Sequence, residues 1–156
     1  MSLDALALHR RLGGSAPGRW LFSKLLAWRM PFAGTIAPTM LVLEPGRCVA
    51  RMRDRRRVHN HIGTVHAIAC CNLAELVAGV GTEVSTPKEM RWIPKGMTVR
   101  YLRKAVGTLT ATATIPPIAV GPAHEIVVPV AIVDEAGEAV VQIEIAMYVS
   151  PRKIGA

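Results

Sequence analysis

The chain has 156 residues, 51% of them hydrophobic and 19% charged, with a formal net charge of +8 and a pI near 10.1. This apolar content excludes a disordered chain, and the length suits one domain with a single core. No apolar run reads as long enough to span a bilayer, and "MSLDALALHRRLGG" lacks the parts of a signal peptide, so a soluble cytoplasmic protein is expected.

Residues 2–29 read as helical, in two pieces broken at "GGSAPG". In the second piece, "RWLFSKLLAWRM" (19–30), Trp20, Leu21, Leu25 and Trp28 recur near helical spacing, with Arg19, Lys24 and Arg29 between them. Pro31 is expected to stop it. A docked amphipathic helix is the expectation, with membrane-surface contact through 19–30 as the alternative.

Two strands follow. Residues 35–44 are turned by Pro45-Gly46 into 47–56, where Cys48, Ala50 and Met52 share one face and Arg47, Arg51 and Arg53 the other. The arginines read first as a solvated strand face. Nucleic-acid binding is not expected, because no binding motif accompanies the charge and aromatics make up only 4% of the chain.

From Val65 to Val80 the polar side chains are His66, Asn72 and Glu75, and such a helix is expected to be buried, ending at Gly79 and Gly81. Strand patterns return at 96–106 and in "TLTATATI", where Leu109, Ala111, Ala113 and Ile115 alternate with threonines. "HEIVVPVAIV" and "AVVQIEIAMYV" flank a turn at Gly137. An antiparallel sheet curled around one buried helix satisfies this order. The three cysteines show no zinc spacing and read as reduced thiols; no metal site is expected.

A carboxylate in an apolar helix costs several kcal/mol unless partnered, on the order of what unpaired buried charges cost. Three roles are open to Glu75: pairing with an arginine at an edge or dimer seam, acting as a base in a cleft, or ligating a metal. The third is the weakest, since no second ligand stands three or four residues on. Gly63-Thr64 are expected to bring free N–H groups to the helix N-terminus, beside Asn60 and His66, where a carbonyl or anion is polarised. His66 and Glu75 are nine residues apart. At about 100° per residue they point to roughly opposite sides, about 13 Å apart along the axis. Two antiparallel helices in a homodimer would bring the His end of one to the Glu of the other.

These residues resemble a known family. Asn60, "GTVHAI" and Glu75 are similar to the pattern of hotdog-fold acyl-CoA thioesterases of the PaaI type, within an uncharacterised branch of that group. There a loop Asn precedes G-x-x-H-G-G, and an acid follows the His by nine residues. "VRYLRKAVG" (99–107) resembles a strand of the same family. The resemblance implies an α+β hotdog domain over 33–150, an N-terminal helical extension over 1–32 peripheral to it, and a tail at 151–156. It implies hydrolysis of an acyl-CoA or acyl-carrier thioester by a homodimer, alternatively a dimer of dimers, with no cofactor. Glu75 would be base or nucleophile, and Asn60 from the partner chain would orient water or substrate. The Ala67 N–H would polarise the carbonyl, while His66 shapes that turn. Arg57, Arg100, Arg103 and Lys104 become contacts for CoA phosphates. The family's two glycines after the His are Ala67 and Ile68 here. A non-catalytic acyl-CoA binding protein is the alternative.

Overall fold

The computed structural model describes residues 4–152. Three helices come first: α1 (Ala5–Leu12), α2 (Ala16–Arg29) and the short α3 (Pro31–Gly34). Then come β1 (Thr39–Glu44), β2 (Arg47–Met52), the long helix α4 (Ala67–Ser85), β3 (Met90–Tyr101), β4 (Leu109–Thr114), β5 (His124–Val133) and β6 (Ala139–Pro151). The strands form one antiparallel sheet in the order β1-β2-β4-β5-β6-β3. The sheet and α4 share one core, in which Leu73, Val77, Ala111, Ile132 and Ile145 are buried. This is the expected α+β hotdog arrangement, a sheet wrapped around a central helix.

The alternation in "TLTATATI" holds: Leu109, Ala111, Ala113 and Ile115 are buried and the threonines between them are not. Gly137 turns the last hairpin with φ +84°. The first strand is shorter than expected and starts at Thr39, since Ala37 takes φ +46° and Pro38 offers no N–H to a ladder.

The glycines expected to end the core helix lie inside it, and the helix runs on to Ser85. Their role is close approach. A Cβ on Gly81 would stand 2.5 Å from Ile115 Cδ1 and 3.0 Å from Cys48 Cβ, so glycine lets α4 settle onto β2 and the start of the loop after β4. By length and hydropathy α4 is also apolar enough to cross a membrane, contrary to the expectation of no such run, but 67% of its most apolar window is buried inside the fold. A core helix covered by a curled sheet must be apolar on most sides.

β3 begins at Met90 rather than at residue 96, and it stops at Tyr101 rather than running to 106. Its length is set by β6, which pairs with it from Met90↔Pro151 to Tyr101↔Val141. Pro94 is tolerated because β3 is an edge strand, with a bulge between Pro94 and Gly96.

The N-terminal helices are not peripheral. Phe22 is 1% exposed and belongs to the same core, and Ser23 Oγ accepts a hydrogen bond from the Met40 N–H at 2.9 Å on β1. Pro31 does not simply stop the chain of helices; it opens α3. The expected tail begins inside the fold, because Pro151 closes β6 and Arg152 donates its N–H to Glu89 O at 2.8 Å. Residues 2 and 3 of the expected first helix, and 153–156 of the tail, lie outside the described residues.

Candidate active site

The segment from Arg53 to His66 carries the basic run of the sequence and leads into α4. Asp54 holds its base. Its carboxylate bonds the His59 ring and accepts the Gly107 N–H at 2.9 Å, and Gly107 has φ +76°. The His59 bond holds the Asp54 carboxyl below its usual range, against an opposing effect of burial, and the Gly107 bond adds to it. Further along, Asn60 Oδ1 accepts the N–H groups of Ile62 and Thr64, both at 3.1 Å, while its Nδ2 donates to Thr64 Oγ1 at 2.7 Å. Gly63 takes φ +81° and donates its N–H to Asn60 O at 3.3 Å.

The expectation of free N–H groups at Gly63 and Thr64 is therefore corrected. Both amides close the Asn60 turn. Asn60 itself is the hub of that turn, committed within its own chain. The turn delivers Val65 to Ala105 O at 2.8 Å and His66 N–H to Val58 O at 2.7 Å, which aims the start of α4.

His66 is the N-cap of α4, its Nδ1 accepting the Ile68 N–H at 3.0 Å. Ala67, as the first helical residue, keeps an N–H with no partner inside the helix. Of the two amides expected to polarise a carbonyl, Ala67 is thus the one left free of a local turn. Ile68, 57% exposed, stands beside it.

Glu75 is exposed, which overturns the expectation of a buried carboxylate. Ile68 and Glu75 are seven residues apart and so share a face, about 10 Å apart along the axis. With half-buried Cys71 between them they form the open stripe of α4. Its walls are defined. On one side Asn72 Nδ2 donates to Phe32 O at 3.1 Å and Thr35 Oγ1 at 3.4 Å, tying α4 to α3. On the other, Tyr101 of β3 meets Cys71, with Oη and Sγ 3.4 Å apart. That bond, helped by burial, pushes the Tyr101 hydroxyl up to about 12, and burial pushes the Cys70 thiol up to about 12. One turn beyond Glu75 the stripe is closed by Trp92, which lies over Gly79 and donates Nε1–H to Glu83 at 2.7 Å. Among the described residues the ion pairs are Asp54–His59 and Arg103–Glu138, so no arginine seals Glu75.

The four cations expected at phosphates are divided. Arg57 lines a groove with Phe32, His66, Ile68 and Asn72 at the head of α4. Lys104 is exposed and precedes Ala105, whose carbonyl holds Val65. Arg103 is paired with Glu138 at 3.2 Å. Arg100 stands with Thr98, Thr112, Gln142 and Glu144 on the outer side of the sheet, whereas Tyr101 faces the helix. Sequence reasoning missed Asp54 and Tyr101. A lone acid within "RMRDRRR" was the available signal for the first; nothing local marks the second.

Residues 18–149 match the model of a domain of unknown function, DUF4442. No curated protein matches the chain. Among solved structures, the structural-genomics protein APC5556 is 40% identical with a TM-score of 0.82, covering 95% of this chain and 98% of that one. A Pseudomonas aeruginosa protein of unknown function, described as a probable thioesterase, is 26% identical with a TM-score of 0.76 over 83% of this chain and 93% of its own. A mutant of the phenylacetic acid degradation protein PaaI from Thermus thermophilus is 19% identical with a TM-score of 0.65, covering 76% and 97%, a likeness of fold. With most of its length matched by one family model and its core helix wrapped as in these structures, the chain belongs to the DUF4442 family and has the hotdog fold of the PaaI-type thioesterases.

Proposed function

We propose that the protein is an acyl-CoA thioesterase that works as a homodimer. The observation that carries this reading is the open stripe Ile68–Cys71–Glu75, with an unsealed carboxylate at one end and the Ala67 N–H at the other. Within one chain these ends are too far apart to act on one carbonyl. A second α4 laid antiparallel along the stripe sets each Glu75 against the other chain's Ala67. The long exposed edge of β3 beside the stripe supports that assembly, since an unpaired edge is a template for another strand.

In this reading Glu75 removes a proton from water as it attacks the thioester carbonyl. The Ala67 N–H, at a helix N-terminus, stabilises the oxyanion that forms. The tetrahedral intermediate then collapses with cleavage of the C–S bond, and the proton held by Glu75 passes to the sulfur, so that CoA leaves as its thiol and the acyl group as the carboxylic acid. Arg57 and Lys104, near the head of α4, are the cations best placed for CoA phosphates, whereas Arg103 is paired with Glu138 and Arg100 stands on the outer side of the sheet. The Pseudomonas aeruginosa relative, described as a probable thioesterase, supports thioester hydrolysis, and the acyl-CoA substrate class rests on the resemblance of the motif.

The test is thiol release from a panel of acyl-CoAs by wild type and Glu75→Gln. Loss of a general base should lower kcat by about 10²–10⁴-fold. Equal rates would sink the mechanism. A second reading, binding without turnover, is favoured by Ile68 at the donor. Saturable binding by calorimetry with no thiol release from any panel member would select it.

A further inference from the structure

α2 has two apolar faces. One holds Phe22 and Leu26 against the core. The other turns Trp20, Leu21, Leu25 and Trp28 to the outside, with Trp20 61% and Trp28 79% exposed. At about 100° per residue, Trp20, Lys24, Trp28, Leu21, Leu25 and Arg29 occupy one half of the cylinder. An outward face this apolar calls for a cover.

Charge identifies the cover. Residues 5–43 contain Arg10, Arg11, Arg19, Lys24 and Arg29 and no Asp or Glu. A groove beside Trp20 adds Arg53 and Arg55, and Lys24 Nζ sits 5.8 Å from the Trp20 ring centre. A second copy of this surface would bring like charges together. α2 packs on β1 through its inner face, which leaves the outward face uncovered within the chain. Tryptophans interleaved with Lys24, whose long side chain reaches outward, and bordered by Arg29 suit the boundary between acyl chains and anionic headgroups.

We propose that the outward face of α2 seats the protein on anionic bilayer surfaces, with Trp20, Leu25 and Trp28 entering the interface and Lys24, Arg29 and Arg55 at headgroup level. The seating is reversible, because one short helix face plus a few cations gives marginal binding. It does not depend on Glu75 or on thioester hydrolysis.

The test is co-sedimentation of the full chain with vesicles of phosphatidylcholine alone, and of phosphatidylcholine with phosphatidylglycerol. Wild type should pellet with the anionic vesicles, less so as salt rises, and stay in solution with the neutral ones. Trp20→Ser/Trp28→Ser should weaken binding about tenfold or more, and Lys24→Glu/Arg29→Glu should abolish the preference for anionic lipid. All four positions are exposed, and a shared melting profile checks that the variants fold. Pelleting that is absent, or unchanged in both variants, overturns the proposal. So does a Trp20→Ser/Trp28→Ser chain that sediments as a smaller oligomer while binding vesicles like wild type, since a second copy then covers the face.

Discussion

His66 Nδ1 accepts the Ile68 N–H at 3.0 Å, so the histidine of the motif caps α4 through its own chain. The bond removes one amide from use and leaves Ala67 beside it. It also makes two roles for His66 separable. His66→Ala should lower stability by about 1 kcal/mol through loss of the cap, read by urea melts. His66→Asn retains an N-cap acceptor and should recover most of that loss and most of the thiol-release rate. If stability returns and the rate does not, the imidazole acts on substrate rather than on the turn.

Ile68 covers the position at which the family pattern has glycine. Ile68→Gly removes an exposed side chain beside the Ala67 N–H. Glycine in a first turn costs up to about 1 kcal/mol, which a fold with a core of this extent should survive. Turnover of acyl-CoA is expected to rise. A fall in kcat with unchanged KM would show that Ile68 supports catalysis instead of limiting access.

Asp54 joins the entry loop to Gly107 and His59, and these bonds hold its carboxyl below the ordinary range. A depressed folded-state pKa adds stability that is complete above the unfolded value, near about 3.9. It is lost as pH falls through the lower folded value. Asp54→Asn should therefore be less stable than wild type at neutral pH, and the two stability curves should converge in acid. Curves that stay parallel from neutral pH down would mean that the carboxylate charge contributes nothing.

Gly79 and Gly81 look alike in sequence and should respond differently. In Gly79→Ala the new methyl meets only the Trp92 ring, at 3.2 Å, and Trp92 is half-buried. The helix-propensity gain of about 1 kcal/mol offsets that contact, so little net change is expected. In Gly81→Ala the methyl meets Cys48 Cβ and Ile115, both buried. Overpacking at about 1–3 kcal/mol should exceed the gain, giving a lower urea midpoint. Equal midpoints for the two variants would refute the close-approach role of Gly81.

Much of the fold was legible because its signals are local. Period-two alternation in 108–115, the Gly137 turn and the apolar run of α4 depend on neighbours in the chain, and each was in place. The motif spacing from Asn60 through His66 to Glu75 was equally visible, and it pointed to the family to which the chain belongs. Tertiary structure alone decided what covers what. Glu75 is exposed because α3 and β3 flank its stripe without closing it, and the residues that form these walls, Phe32 and Tyr101, are distant from it in sequence. Gly81 sits in mid-helix because Ile115 crowds it, and β3 is long because β6 is. Arg100 and Tyr101, adjacent in sequence, fall on opposite sides of the sheet. The pattern of residue types records which side chains prefer to be buried, but exposure at a given position is set by distant segments, and only the folded chain brings those together.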